Sequence, residues 1–490
     1  MKRKKIIALA VLPALAFGSW GVVEGVQWWG ERCQPLVARV PAEQPLPSLR
    51  PAAPAEVDLS AFSDSLRVFA EEVLAQARRM PSSLGTLRSV VTTVDKYGAP
   101  NGLIRLVGAE QGEPLVLIDQ DQLAGKQEVS AGVVTRLDSA IGGTAWARWY
   151  DDHLLDAAHT SKGLVLHQHE PDGLAPQIAS VEPGSGELQW CTSIGEGYVS
   201  GSNEPSIAAG GGGLFALRGA NDKWSDQRPI LVSLDPGNGK RRWKARIDGF
   251  EEGGSVDVFG DSVLVTQWGD RADRFSVPSN GDGRLRTNEG PVRAFAIRDG
   301  SAKWEYPGPD GTGWATAVIG VHDSTAVVLA RQTRGSSPTY DRRNNQNWLV
   351  GLGPDGKERW RQDLGNRIGI SREDGVRVVG DVLLTFETTG IAPRDQQTVV
   401  ARDVSTGKTR WTKTFTDYTK ELDPREVAVA GNTLLIATLH DLVGIDLTTG
   451  TMRSLLTDNQ LDAEFNVAVD DRSLVVNAAG LILTFDRKPN

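Results

Sequence analysis

From about residue 85 onward, apolar and polar positions alternate in short runs, with β-branched side chains at many apolar positions and Gly, Asp or Asn between runs. The clearest set is Val256–Phe259, a Gly260-Asp-Ser turn, Val263–Gln267, then Val292–Ile297 and Trp304. Val376–Val379 with Val382–Phe386, Val427–Ala430 with Thr433–Thr438, and Phe465–Val469 with Ser473–Asn477 and Leu481–Phe485 repeat it. Period-two alternation bounded by turn residues predicts antiparallel strands in tight hairpins.

A second periodicity is laid over the first. A turn Gly is followed four residues later by Trp in Gly186-Glu-Leu-Gln-Trp190, Gly239-Lys-Arg-Arg-Trp243, Gly300-Ser-Ala-Lys-Trp304, Gly356-Lys-Glu-Arg-Trp360 and Gly407-Lys-Thr-Arg-Trp411. Gly125-Lys-Gln-Glu-Val129 and Gly450-Thr-Met-Arg-Ser454 read as degenerate copies. The phrase recurs at intervals of roughly fifty residues, the signature of a repeat architecture. Each unit offers four strands, a to d, with the Gly phrase as the c–d turn and Trp on strand d. Four-stranded units set radially make a β-propeller, which hides nearly every strand edge. The predicted fold is therefore all-β, with eight blades, or alternatively seven, over residues 85–490. A strand near Arg88–Val94 is expected to complete the last blade and close the ring.

Upstream, the pattern changes. Met1-Lys-Arg-Lys-Lys5 precedes an uncharged apolar run, Ile6 to Val23, close to the ~20 residues that span a bilayer. Residues 1–30 thus read as a signal anchor with the C-terminal part outside the cytoplasm, or as a cleaved signal peptide ending near Ala14-Leu-Ala16. Residues 31–57 are rich in Pro and read as an extended spacer. Within 58–81, Phe62, Leu66, Phe69, Val73 and Ala77 recur at helical spacing. That stripe predicts one amphipathic helix packed on the propeller or on a neighbouring chain.

Composition narrows the partners. A net charge of -9 argues against nucleic acid. The two cysteines, Cys33 and Cys191, rule out a disulfide scaffold and leave one long-range bond possible in an oxidising compartment.

Leu231-Val-Ser-Leu-Asp235-Pro-Gly-Asn-Gly239-Lys-Arg-Arg-Trp243 and Val400-Ala-Arg-Asp403-Val-Ser-Thr-Gly407-Lys-Thr-Arg-Trp411 resemble the Trp-bearing repeat of pyrroloquinoline-quinone-type propellers. The resemblance covers about residues 85–486. It implies that Trp190, Trp243, Trp304, Trp360 and Trp411 pack between neighbouring blades. Members include quinoprotein dehydrogenases, the propeller lipoprotein of the outer-membrane β-barrel assembly machinery, and anchored proteins without assigned chemistry. The dehydrogenases carry an adjacent Cys pair over the quinone, which this chain lacks.

Function is sought on the face with the longer connections, those between strands b and c, at about Arg218–Pro229, Gly269–Pro291, Gln332–Gln346 and Thr388–Gln397. Arg331, Arg334, Tyr340, Arg342, Arg343 and Trp348 form a basic, aromatic-edged stretch there, with Arg271 and Arg274 in the neighbouring connection. Guanidinium groups suit carboxylate or phosphate partners. His167 and His169 stand on one strand face and are weak metal candidates beside the reading as surface residues. The stretch from Pro278 to Glu289 partly fits a calcium loop, but Pro278 replaces the first ligand. No zinc-protease motif, phosphate loop or nucleophile elbow occurs. The expectation is a monomeric, membrane-anchored, extracytoplasmic, non-catalytic module without a cofactor that binds a cell-envelope protein or anionic envelope ligand. The alternatives are a quinoprotein oxidoreductase using pyrroloquinoline quinone and calcium, or a small-ligand sensor; a secreted form is the alternative location.

Overall fold

Hairpins with alternating apolar faces assemble into eight antiparallel sheets, the blades of an eight-bladed β-propeller. The structure is a computed structural model. It describes residues 38–39, 49–94, 104–119, 131–140, 142–151, 154–160, 163–168, 177–194, 207–218, 229–248, 255–266, 290–311, 315–333, 345–365, 376–389, 396–415, 427–437, 441–457, 465–478 and 480–487. Blades 1 to 7 follow in chain order, from residues 104–151 to residues 427–457. Blade 8 takes three strands from the C-terminal end, and Thr86–Thr92 adds as its outer strand against Leu481–Asp486. This closes the ring with an N-terminal strand, and eight is the correct count of blades.

Blade 4 shows the plan. Ser255–Phe259, Ser262–Thr266, Val292–Ala296 and Ala302–Tyr306 pair consecutively from axis to rim. Gly260, at φ 60°, makes the two-residue a–b turn in a conformation that side chains disfavour. Every c–d pairing shifts register, in blade 4 between Ala294 and Phe295 and in blade 5 at two points. Such a bulge bends the outer strand and re-aims its next side chain. Trp304 is that side chain, opposite Ala294.

The core is divided into layers between successive blades. Phe215, Leu217 and Leu231 of blade 3 meet Val263, Val265 and Phe295 of blade 4, for example. Seven further clusters fill the other seams.

Two seams lack the Trp device, because Ser454 in blade 7 and Ser89 in blade 8 stand at its spacing, four residues after the turn Gly450 and after Gly85. The N-terminal arm fills both. Helix Asp64–Ala77 lays Ala70, Val73, Leu74 and Ala77 into the cluster between blades 7 and 8, together with Phe62 just before it. Leu66 packs at its edge. Gln76 ties the helix to the rim: its Oε1 accepts from the Thr457 N–H at 2.7 Å. At the 8–1 seam, Leu49 is buried and Ala52 pairs with Val90 through two backbone hydrogen bonds. Arg88 adds an ion pair to Glu113 of blade 1 at 3.1 Å. Burial of the Glu113 carboxyl pushes its pKa up, against the hydrogen bond from Ser139 and the charge of Arg88. Farther upstream, Ala38–Arg39 pairs antiparallel with the outer strand Gly143–Asp151 of blade 1.

Blade 1 corrects the register read from the sequence. Its outer strand is Gly143–Asp151, and the c–d turn leads from Asp138 through Gly142 to Trp146. Residues 125–129 lie outside the described residues, between strands b and c of that blade. No helix among the described residues is long and apolar enough to cross a membrane, and residues 1–30 lie outside them.

Candidate functional site

The c–d turns of blades 2 to 7 are docking sockets for the blade before each. Trp146, Trp190, Trp243, Trp304, Trp360 and Trp411 donate their indole N–H to the carbonyls of Pro183, Pro236, Ile297, Pro354, Val404 and Leu447, at 2.7–2.9 Å. The turn Gly of the receiving blade lies flat against the same indole. A Cβ on Gly186, Gly300, Gly356, Gly407 or Gly450 would stand 2.5–2.8 Å from ring atoms, so only Gly fits. The five Trp residues expected to dock between blades do so, and Trp146 is a sixth.

The turns are also electrically self-contained. Asp403 accepts from Ser405 Oγ at 2.6 Å, from Thr406 N–H and Oγ1, and from Arg410 at 2.6 Å. The Ser405 hydroxyl and the Arg410 guanidinium hold its carboxyl well below the usual carboxylate range. Ser301 lowers Asp299 to about 2 through its hydroxyl and N–H. The residue before Trp reaches from strand d to the same blade's a–b turn: Arg242 to the Gly212 carbonyl, Lys303 to Asp261, Arg359 to Ser324 and Arg410 to Asp381. These charges are thus spent on the fold.

The opposite face receives the b–c connections. Among the candidate residues there, Arg331 and Trp348 are described; Arg271, Arg274, Arg334, Tyr340, Arg342 and Arg343 lie outside the described residues. Arg331 is 3 % exposed, and its Nε donates to Asn347 Oδ1 at 2.7 Å. Asn347 in turn donates to the Gly365 carbonyl, so the three outer strands of blade 5 are braced where the connection leaves. Trp348 lies half-buried, with the Arg361 guanidinium 5.4 Å from its ring centroid. Arg361 grips Glu358 through two nitrogens and also meets Asp310 in blade 4. Tyr306 donates to Glu358 at 2.8 Å, and burial together with that carboxylate pushes its phenol pKa up strongly. Arg331 and Trp348 therefore form the rigid base of the connection.

Blade 6 holds a buried charge pair, Arg402 to Glu387 at 2.8 Å, each side chain 5 % exposed, with Thr385 beside it. His167 lies on strand Gly163–Gln168, and His169 lies outside the described residues. No group of three metal-ligating side chains occurs among the described residues. Cys191, on the outer strand of blade 2, is disulfide-bonded, and the sequence supplies one other cysteine, Cys33. These cysteines do not fit the adjacent pair that stacks on a quinone.

Sequence reading passed over Trp146, although Asp138, Gly142 and Trp146 carry the same spacing as the other turns. It also passed over Lys240, Arg241, Lys244 and Arg246, all exposed on or beside one outer strand.

No curated protein matches the sequence. Among solved structures, BamB from Moraxella catarrhalis is 16 % identical, with 69 % of this chain and 95 % of that chain covered and a TM-score of 0.34. Quinohemoprotein alcohol dehydrogenase from Comamonas testosteroni is 12 % identical, with 80 % and 76 % covered and a TM-score of 0.44. Sqt1 from Saccharomyces cerevisiae is 11 % identical, with 81 % and 98 % covered and a TM-score of 0.46. The family described as outer membrane protein assembly factor BamB matches over residues 130–348 and 288–477. With its Trp-docked blades and this match over most of its length, the chain belongs to that PQQ-like β-propeller family.

Proposed function

We propose that this protein is an extracytoplasmic, membrane-anchored propeller that binds or scaffolds another component of the cell envelope without catalysing a reaction. The observation that carries this reading is the contrast between faces. On the c–d side, Arg242, Lys303, Arg410, Asp403 and Trp411 are engaged with one another, with neighbouring carboxylates or with the backbone. On the other side, blade 5 offers a braced base, Arg331–Asn347 and Trp348–Arg361, beneath a connection rich in Arg. Insertions gathered on one face of a repeat fold often mark its binding side. Membership of a family described by an assembly factor favours a protein partner. The disulfide at Cys191 favours an oxidising compartment, and the apolar run before it favours an anchor.

The test is crosslinking of the full-length chain in native membranes, comparing wild type with a variant neutralised at Arg334, Arg342 and Arg343. A defined partner captured by the wild type and lost by the variant supports the reading. Equal capture by both removes this face from it. The quinoprotein alternative is favoured by the Trp repeat that the chain shares with those enzymes. Pyrroloquinoline quinone and calcium added to the full-length protein would reveal it through bound-cofactor absorbance and dye reduction.

A further inference from the structure

We propose that the outer strand of blade 3 is a docking patch for anionic lipid headgroups, which holds this sector of the propeller rim against the membrane. The inference rests on the anchored reading above. Strand Arg241–Arg246 reads Arg-Arg-Trp-Lys-Ala-Arg, and Lys240 precedes it. Lys240, Arg241, Arg242, Lys244 and Arg246 are all exposed, in a chain whose net charge is -9. Arg242 is engaged with Asp235. Lys240, Lys244 and Arg246 meet no carboxylate among the described residues. Asp248, just past the strand, is the nearest exposed acid in sequence.

On the other outer strands, exposed cations without a carboxylate stand singly, Lys413 in blade 6 and Arg453 in blade 7, and the rest are engaged. Lys303 is held by Asp261, Arg361 by Glu358 and Asp310, and Arg410 by Asp381 and Asp403. Blade 3 therefore carries an unneutralised basic edge. Trp243 and Ala245 turn inward to the seam with blade 4, while Lys244 and Arg246 alternate with them and stand outward.

The position of this edge indicates which anion it meets. Thr192 Oγ1 donates to the Gly239 carbonyl at 2.7 Å. Thr192 follows Cys191, and Gly239 precedes Lys240. The disulfide-bonded Cys191 thus neighbours the residue that hydrogen-bonds to the start of the basic strand. Cys33, the one other cysteine, follows the apolar run ending at Val23 by ten residues. Ten residues reach at most about 35 Å when fully extended. A bilayer held by that run is therefore within reach of this rim, and each Lys or Arg near an anionic surface strengthens binding roughly fivefold.

The test uses full-length protein in nanodiscs of phosphatidylcholine, with or without phosphatidylglycerol. The headgroup probe is photoactivatable phosphatidylglycerol in the anionic discs and photoactivatable phosphatidylcholine in the neutral ones, both kinds carry a second lipid with a photoactivatable acyl chain, and adducts are mapped by mass spectrometry. Headgroup adducts at residues 240–246 are expected in anionic discs. They should fall at least fivefold in the K240Q/R241Q/K244Q/R246Q variant and in high salt, but not in an R298Q/K357Q control. An unchanged melting temperature keeps loss of fold out of the comparison. Acyl adducts at residues 6–23 without headgroup adducts at 240–246 would overturn the patch and leave the anchor standing. Absence of acyl adducts at residues 6–23 would overturn both. Crosslinks from 240–246 to an acidic protein in native membranes, with no lipid adducts there, would assign the strand to a protein partner instead.

Discussion

Trp360 of blade 5 lies against Gly407 of blade 6, where an added Cβ would stand 2.7 Å from the indole. The same ring donates its N–H to the Val404 carbonyl at 2.9 Å. Gly407 also has φ 69°, so Gly407→Ala adds backbone strain to overpacking. The substitution should cost roughly 3 kcal/mol, against about 1 kcal/mol for Gly260→Ala. Gly260 has φ 60° but open space around it. Thermal melts of the two variants check the difference.

Trp411, 9 % exposed, separates the packing and hydrogen-bond contributions of the dock. Trp411→Ala should cost about 3–5 kcal/mol. Trp411→Phe keeps most of the contact and loses the bond to the Leu447 carbonyl, for about 1 kcal/mol beyond any repacking. A Phe variant as unstable as the Ala variant would place the stability in the hydrogen bond.

Acid should loosen the c–d face. Asp403 and Asp299 have folded-state pKa values below their ordinary values, so their stabilisation is present above pH 4 or so. It is lost as pH falls toward those depressed values. Melting temperature should therefore drop between about pH 5 and pH 2. Asp403→Asn should flatten part of that slope while lowering stability at neutral pH.

The buried pair in blade 6 makes a different demand. Glu387→Ala leaves the Arg402 guanidinium buried without its carboxylate and should cost about 3–5 kcal/mol. Replacing both residues with Leu and Met should recover much of that loss. A double variant as unstable as the single one would show that other contacts of Glu387 matter more.

Much of the ring was legible because its parts are local. The alternation around Val256–Phe259 and Val263–Gln267 and the Gly-to-Trp spacing depend on turn chemistry within one hairpin. The closing strand could be inferred because three strands at residues 465–486 needed a fourth. Blade 1 was misread because Gly125 stood at a plausible interval while Gly142, with a second Gly beside it, was overlooked. Arg331 read as a loop cation, whereas its neighbour across the hairpin, Asn347, draws it inside. Such pairings depend on register between strands, which periodicity alone leaves open. The helix of the arm and its packing on the propeller were legible from its apolar stripe, but not which seam it enters, and the Pro-rich segment before it carries no signal for the surface it meets.

Val73 tests the arm directly. It is 1 % exposed in the seam between blades 7 and 8, and Val73→Asp would bury an unpaired carboxyl there. The helix should detach, so proteolysis between residues 49 and 85 should rise sharply. Val68→Asp, on the 60 % exposed side of the same helix, should leave the digestion pattern unchanged.

The bond between Gln76 and Thr457 joins positions 381 residues apart. During synthesis, the arm emerges early and its socket emerges almost last. Six seams can form as neighbouring blades become available, but the remaining two wait for the C-terminal strands. Until then, the apolar side of the helix has no place to go. Such long-range closure is slow and leaves an intermediate open to aggregation or chaperone capture. For a chain exported as proposed above, the same delay would keep the ring open during passage across a membrane, so the seam that completes the propeller would also set when it becomes too wide to pass.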